Sequence, residues 1–166
     1  MYRSIVLLIL FSQFLVSCTE KQEDDDMNNE NKVVTDQNLI KMLRSSPDQI
    51  TLNGKNLSIE TYFWRDFMPG SNNPDGSPLM GSIKFVGENA DVLSKTISVS
   101  KVYVVNNDMT WVCKALEIRN ENVLEAVVRG GPKWEPGIHV DVISEFTILK
   151  KSYRLIAKSQ TIHVTY

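Results

Sequence analysis

The side chains best suited to binding a metal ion lie in a loop rich in proline and glycine at residues 64–78. Four of them carry the carboxylate and amide oxygens that a Ca²⁺ ion prefers: Asp66, Asn72, Asn73 and Asp75. Their spacing fits no EF-hand loop, so the ion would need a different set of ligand positions. In the structural alternative, Arg65 and Asp66 form a charge pair that locks the loop, with Trp64 and Phe67 packed beneath it.

A second loop of similar composition, residues 129–137, is suited to binding a sugar or a peptide. Trp134 lies between Lys133 and Glu135, and an aromatic ring with polar neighbours can stack on such ligands. In the structural alternative, Trp134 closes one end of the domain while the flanking prolines fix the loop. The candidate ligand-binding residues of the two loops are Trp64, Arg65, Asp66, Arg129, Lys133 and Trp134.

Catalysis has weaker support than binding in this sequence. His139 and Asp141 share one face of a predicted strand, which is the least that a metal or acid–base site requires. No HExxH motif, nucleophile elbow or phosphate-binding glycine loop occurs. An enzyme would therefore need a site assembled from dispersed residues, and apart from Ca²⁺ the sequence implies no cofactor.

Alternation of apolar and polar residues predicts the strands that carry these loops. The predicted strands are residues 49–52, 55–64, 79–86, 96–105, 110–118, 122–129, 138–149 and 153–166. Val140, Val142, Phe146 and Ile148 are predicted to face the core. An irregularity is predicted near Ser159-Gln160.

Two local signals complete the predicted elements. Asn53-Gly54 joins the first two strands and predicts a type I′ turn, because both residues tolerate positive φ. Residues 35–44 predict the single helix, with Asp36 as its N-cap. Seven or eight short antiparallel strands favour an all-β, immunoglobulin-like β-sandwich, with a small β-barrel as the alternative.

The N-terminus predicts export. Arg3 precedes a mostly apolar run that is too short to cross a bilayer core of roughly 30 Å, as in a signal peptide. Residues 15–18, Leu-Val-Ser-Cys, resemble the bacterial lipobox. That resemblance implies removal of residues 1–17 and acylation of Cys18, for example by palmitate, so that the protein is a lipoprotein attached to a membrane. An ordinary signal peptide or an N-terminal membrane helix is the alternative.

Residues 18–34 are predicted to be an acidic, disordered tether. Six acidic residues, two basic residues and a single Met27 between positions 20 and 32 leave too little apolar surface for a folded segment. An acidic cluster just after the lipidated cysteine resembles the surface-export signal of lipoproteins of Bacteroidota. The resemblance implies an outer-membrane protein, with the cell surface favoured over the periplasmic face.

Residues 35–166 then form one domain. The chain has 18 basic and 20 acidic residues, of which three basic and six acidic residues lie before residue 35. The predicted domain therefore has 15 basic and 14 acidic residues, which gives no electrostatic basis for binding nucleic acid.

Cys113 has no second cysteine or histidine near it in sequence, and its alternation with Trp111 and Ala115 predicts a buried, inert thiol.

Two further strings resemble a family of small secreted or lipid-anchored bacterial proteins with no assigned activity. They are WRDFMP at residues 64–69 and GPKWEPG at residues 131–137, with VDV following. The resemblance spans roughly Ile50 to Val164 and is consistent with the predicted fold and export. The sequence therefore predicts a lipid-anchored envelope protein whose β-sandwich binds a protein, peptide or glycan, or serves a structural role; the alternatives are a small enzyme and a calcium-binding surface domain.

Overall fold

The computed structural model of the chain describes residues 31–69, 75–88, 95–120 and 123–166. The described residues form ten strands and one short helix. In chain order these are β1 (Lys32–Val34), α1 (Gln37–Arg44), β2 (Gln49–Leu52), β3 (Lys55–Asp66), β4 (Leu79–Gly87), β5 (Ile97–Asn106), β6 (Met109–Cys113), β7 (Leu116–Asn120), β8 (Val123–Gly131), β9 (His139–Ile148) and β10 (Lys151–Thr165). The prediction of an all-β domain is confirmed.

The strands form one hydrogen-bonded sheet in the order β1-β6-β5-β9-β10-β3-β4-β8-β7, and β2 also pairs with β3. Neighbouring strands are antiparallel except β3 and β10, which run parallel with His163 opposite Trp64. The first part of β10 pairs with β9 and its last residues pair with β3. The sheet is therefore continuous through β10, and it curls into a half-barrel.

An irregularity in β10 separates its two roles. The register with β9 shifts between Ala157 and Gln160, and Ser159 has a φ of 55°. An extra residue of this kind bends a strand and increases its twist. The irregularity predicted at Ser159-Gln160 is confirmed, and it lies where β10 begins to turn toward β3.

The curl brings two parts of the sheet face to face around one core. We call β1, β6, β5, β9 and the first part of β10 the helix-side half-sheet, and the end of β10 with β3, β4, β8 and β7 the open half-sheet. Phe85 of the open half-sheet meets Phe146 of the other edge to face, with ring centroids 4.9 Å apart. The four residues of β9 that were predicted to face the core all do so.

Helix α1 covers the outer face of the helix-side half-sheet. The Oδ1 atom of Asp36 accepts hydrogen bonds from the backbone N–H groups of Asn38 (2.9 Å) and Leu39 (3.1 Å), which confirms the predicted N-cap. Ile40 and Leu43 are the buried residues of the helix. They form a second apolar cluster with Tyr103, Val105, Ile143 and Ile156 of the sheet.

The hairpin of β2 and β3 has the predicted turn. Asn53 and Gly54 have φ angles of 52° and 76°, the signs that a type I′ turn requires. Leu52 pairs with Lys55 across it.

The folded part of the chain includes residues that the sequence assigns to the tether. Lys32–Val34 form β1 against β6, so ordered backbone begins at least three residues before the predicted boundary between residues 34 and 35. Asn31 explains part of this order, because its side chain accepts a hydrogen bond from the Trp111 indole and donates to the carbonyls of Arg129 (3.3 Å) and Gly130 (3.2 Å). Asn31 thereby joins β6 of the helix-side half-sheet to β8 of the open half-sheet.

Two further details differ from the sequence prediction. The strand predicted at residues 110–118 is two strands, because β6 ends at Cys113 and β7 pairs with β8 in the open half-sheet. The described residues form ten strands with one parallel pair, and the immunoglobulin-like sandwich is not confirmed. Alternating polarity identifies which face of a strand is buried, but it does not identify the neighbouring strand.

Candidate functional site

The outer face of the open half-sheet carries exposed aromatic residues. Phe63 of β3 points into the core, so its neighbours Tyr62 and Trp64 lie on the opposite face. Tyr62 is 46% exposed and Trp64 is half-buried. α1 packs on the other half-sheet, so it does not cover these rings.

Three rings on this face form a continuous row, which we call the aromatic face: Trp64, Tyr62 and His163. The ring centroids of Tyr62 and Trp64 are 5.5 Å apart with an interplanar angle of 30°. Tyr62 and His163 are stacked, with centroids 4.8 Å apart and an angle of 15°. The row joins β3 to the end of β10, and it exists because the parallel register puts His163 opposite Trp64.

Polar side chains lie beside the aromatic face on β3 and β4. The register pairs Glu60 with Lys84 and Tyr62 with Ser82. These residues and Thr61 line a small cleft of about 130 Å³ next to the Tyr62 ring. A carboxylate, an ammonium group and the Ser82 hydroxyl thus lie within reach of a ligand that stacks on Tyr62, whereas the Thr61 hydroxyl donates to the Gln160 side chain (2.9 Å).

The sequence analysis singles out Trp64 on this face but misses Tyr62, His163 and the cleft. Tyr62 lies in a strand, and a single aromatic residue in a strand carries no signal that separates a binding role from packing. His163 is 101 positions from Tyr62 along the chain. The only available signal was the alternation of β3, which places Tyr62 and Trp64 on the same face.

Arg65 is a buried residue that joins the two loops singled out from the sequence. Its side chain is 2% exposed and points into the domain. The Nε atom donates to the carbonyl of Ser77 (2.9 Å), and one terminal nitrogen donates to the carbonyls of Lys133 (3.3 Å) and Trp134 (3.2 Å). The other terminal nitrogen donates to the carbonyl of Asp75.

This arrangement replaces the predicted Arg65–Asp66 charge pair. In the described part of the chain the recorded polar partners of the guanidinium are carbonyl oxygens, and its carbon lies 4.9 Å from the centre of the Phe67 ring. A guanidinium suits this position because its weak hydration lowers the cost of burial and its fork can serve several acceptors at once. The structural role predicted for Arg65 is thus retained with different partners.

The candidate calcium ligands are only partly described. Asn72 and Asn73 lie outside the described residues. One carboxylate oxygen of Asp66 accepts a hydrogen bond from the Met68 N–H (2.9 Å), and Asp75 is exposed. Within the described ranges, no group of three or more His, Cys, Asp or Glu side chains could hold a metal ion. Calcium binding by this loop stays a prediction.

The candidate residues of the second loop are dispersed. Trp134 is half-buried and packs against the main core, and Lys133 is exposed. Arg129 is also exposed, and its carbonyl accepts the Asn31 side chain. Arg65 brings this loop to the first one, but Trp134 does not join Trp64 in one aromatic surface.

His139 and Asp141 are engaged with different partners. Nδ1 of His139 lies 3.1 Å from the Thr161 hydroxyl. Asp141 forms an ion pair with Arg44 (2.9 Å) and accepts a hydrogen bond from the Ser159 N–H (3.1 Å). These contacts fasten α1 and the β10 irregularity to β9, so Asp141 has a structural role.

Among the described residues, the pKa is clearly shifted for Cys113 and Tyr103, which lie on opposite faces of the helix-side half-sheet. Burial raises the pKa of the Cys113 thiol, which lies in the main core with Sγ 3.4 Å from the carbonyl of Val102. Burial, and then the charge of Glu145, raise the pKa of the Tyr103 phenol, while Arg154 opposes this. Tyr103 belongs to the helix cluster, so the two groups do not converge on one pocket. The prediction of a buried, inert Cys113 is consistent with its position.

No family model matches this chain, and neither a curated protein nor a solved structure is significantly similar to it. Among the described residues, no helix has the length and apolar character needed to span a membrane. Cys18 lies outside those residues. The aromatic face is therefore the candidate site on geometric grounds.

Proposed function

We propose that this chain is a lipid-anchored protein of the outer membrane whose β-domain binds a glycan through the aromatic face, without catalysis. The observation that carries the binding role is the continuous row of Trp64, Tyr62 and His163 on the outer face of the open half-sheet, opposite the core and away from α1. Aromatic rings with polar tips are suited to surfaces that bind ligands, because they offer apolar area together with hydrogen-bonding groups.

A glycan fits this face better than a peptide does. The flat side of a sugar ring carries C–H groups that can stack on an aromatic ring, while its hydroxyls need donors and acceptors at the edge. Glu60, Ser82 and Lys84 supply both kinds of group beside Tyr62. Peptides often bind by adding a strand to an exposed sheet edge, whereas β3 lies inside the sheet between β10 and β4.

The scaffold is also suited to presenting such a face. Arg65 lies next to Trp64 in β3 and points to the opposite face of the strand. Its hydrogen bonds to the two loops therefore fix the end of β3 from the inner face of the sheet. Two half-sheets around one core also resemble, in layering, the sandwich predicted from the sequence, a fold type that often serves recognition. Attachment through Cys18 and exposure at the cell surface follow from the lipobox resemblance and the acidic tether.

Binding is tested on a glycan array that includes bacterial envelope polysaccharides, followed by calorimetry on each hit. We expect Tyr62→Ala and Trp64→Ala each to weaken binding by about ten-fold, which corresponds to roughly 1.4 kcal/mol of lost stacking. Tyr166→Ala is the matched control, because Tyr166 is an exposed tyrosine that no ring contact connects to the aromatic face. Binding to peptides alone, or full affinity in both alanine variants, would contradict the proposal.

The anchor and the location need separate experiments. Cys18→Ser should move the protein from the detergent phase to the aqueous phase, since the acyl chains would be absent. Protease treatment of intact cells should remove the domain if it faces outward. A domain that is digested only after lysis faces the periplasm. Calorimetric titration with Ca²⁺ tests the calcium alternative for the loop at residues 64–78.

A further inference from the structure

The hairpin between β9 and β10 has an unusual tip. Leu149 and Lys150 form its turn with φ angles of 49° and 68°, which residues other than glycine, asparagine and aspartate rarely adopt. Leu149 is also 83% exposed. The hairpin of β2 and β3 uses Asn53-Gly54 for the same purpose, and the turn between β5 and β6 places Asn107 at a φ of 53°, so those two turns have suitable residues and the tip of β9 and β10 does not. The unsuitable turn holds an apolar side chain out in water.

The surroundings of Leu149 are basic and partly apolar. Lys150 and Lys151 are exposed, and the ammonium group of Lys151 lies 5.5 Å from the centre of the Tyr153 ring. Leu149 borders a cleft of about 360 Å³ together with Leu52 and Ile148. Thr96 borders the same cleft, and the exposed Lys95 precedes it.

Other charged groups lie at the same end of the sheet. Lys55 is at the start of β3, beside the Asn53-Gly54 turn. Glu88 follows Gly87, which pairs with Leu57, so one exposed carboxylate lies near this end. Among the described residues the basic groups around the tip therefore outnumber the acidic ones.

We infer that the tip formed by Leu149, Lys150 and Lys151 contacts an anionic lipid surface, with the leucine inserted among the headgroups and the lysines facing their phosphates. A single apolar side chain is far too small for a stable protein interface, which covers about 800 Å² on each partner. One apolar side chain flanked by flexible ammonium groups does suit the boundary between lipid headgroups and acyl chains.

The length of the N-terminal segment allows this contact in a tethered protein. Twelve residues separate Cys18 from Asn31, and the thirteen steps between the two positions can span at most about 45 Å at 3.3–3.6 Å per residue. The ten residues of β9 extend roughly 34 Å. A lipid on Cys18 and the tip can therefore occupy the same membrane, and the tether would raise the effective concentration of a contact that is weak by itself.

The test uses residues 18–166, the mature chain that the lipobox resemblance implies, with Cys18→Ser, so its outcome is independent of lipidation and of the apolar residues that precede Cys18. An environment-sensitive fluorophore is placed on Ser152→Cys, an exposed position near the tip, since buried Cys113 does not react. The same fluorophore on Glu135→Cys, in the loop beyond the other end of β9, serves as the control. The probe vesicles contain phosphatidylglycerol mixed with phosphatidylcholine, or phosphatidylcholine alone.

We expect a blue shift at position 152 with the anionic vesicles only, reversed by high salt, and no shift at position 135. Leu149→Asn should fold normally, because asparagine tolerates this turn, and should weaken vesicle binding measured at position 152. Lys150→Glu should weaken it by about five-fold or more. An absent shift at position 152, an equal shift at position 135, or unchanged affinity in both variants overturns the inference, and none of these results bears on glycan binding by the aromatic face.

Discussion

Replacing Arg65 by lysine is the most demanding test of how the two loops are held. The guanidinium donates to four carbonyls on two separate segments, from Asp75 to Ser77 and from Lys133 to Trp134. Lysine keeps the charge but presents its three donors from a single nitrogen. It therefore cannot serve both segments in the geometry of the fork.

The expected loss follows from the bonds that the lysine cannot make. At least two hydrogen bonds from a charged donor are lost, each contributing about 1.5 kcal/mol. The buried carbonyls left without a donor add to this cost. We expect Arg65→Lys to lower the free energy of unfolding by about 3 kcal/mol, a large part of the 5–15 kcal/mol that is usual for a domain.

The assay is urea denaturation at neutral pH with hydrogen exchange of the loop amides. The matched control is Arg154→Lys, because Arg154 forms an ion pair with Glu145 (2.8 Å) and its side chain is 36% exposed. We expect that substitution to cost less than about 1 kcal/mol. The reasoning is refuted if Arg65→Lys and Arg154→Lys cost the same, or if the loop amides keep their protection. Glycan binding by folded Arg65→Lys protein should persist, because Arg65 and Trp64 point to opposite faces of β3.

The remaining predictions concern the stability of the domain and the reactivity of its buried thiol. Asn31→Ala should lower the free energy of unfolding by about 2 kcal/mol, because it leaves the buried Trp111 indole without its hydrogen-bond acceptor. An unchanged urea midpoint would contradict the role of Asn31 in joining β6 to β8. Cys113 should resist iodoacetamide in native protein and react in denatured protein. Burial raises the pKa values of Cys113 and Tyr103, so the unfolded chain loses these protons at a lower pH than the folded chain does. The free energy of unfolding should therefore keep its full value below about pH 8 and fall as the pH rises through the ordinary thiol and phenol pKa values. If Cys113→Val leaves the dependence of stability on alkaline pH unchanged, this prediction is contradicted. Lys150→Gly should stabilise the domain by about 0.5–1 kcal/mol, because glycine adopts a positive φ without strain. Gly54→Lys should destabilise it for the same reason. If both substitutions shift the melting temperature in the same direction, the comparison is refuted.

The short-range features were predicted well because each depends on a few neighbouring residues. The Asn53-Gly54 turn, the Asp36 cap and the irregularity near Ser159 follow from backbone preferences of particular residues. The features that differ from the prediction depend instead on residues that are distant along the chain. Residues 110–118 keep their alternation although the chain leaves one half-sheet for the other after Cys113, and Lys32–Val34 gain their order from β6 rather than from their own composition.

The same distinction between local and long-range interactions applies to the candidate site. Trp64 and Arg65 were recognised as unusual residues of one loop, but their separate roles depend on the pleat of β3, which turns one outward and the other inward. Tyr62, His163 and the cleft beside them could not be predicted, since the parallel pairing of β3 with β10 brings together residues that are about a hundred positions apart.

By itself, the sequence determined the strand-rich composition, the faces of most strands, the local turns and the resemblance of its first residues to a lipoprotein signal. Only the tertiary structure decided which strands are neighbours, which loop carbonyls Arg65 holds, and which aromatic rings form one surface. The physical reason is that turns and alternation arise from interactions between near neighbours, whereas strand order depends on how a long, bent β10 shares its two edges between β9 and β3.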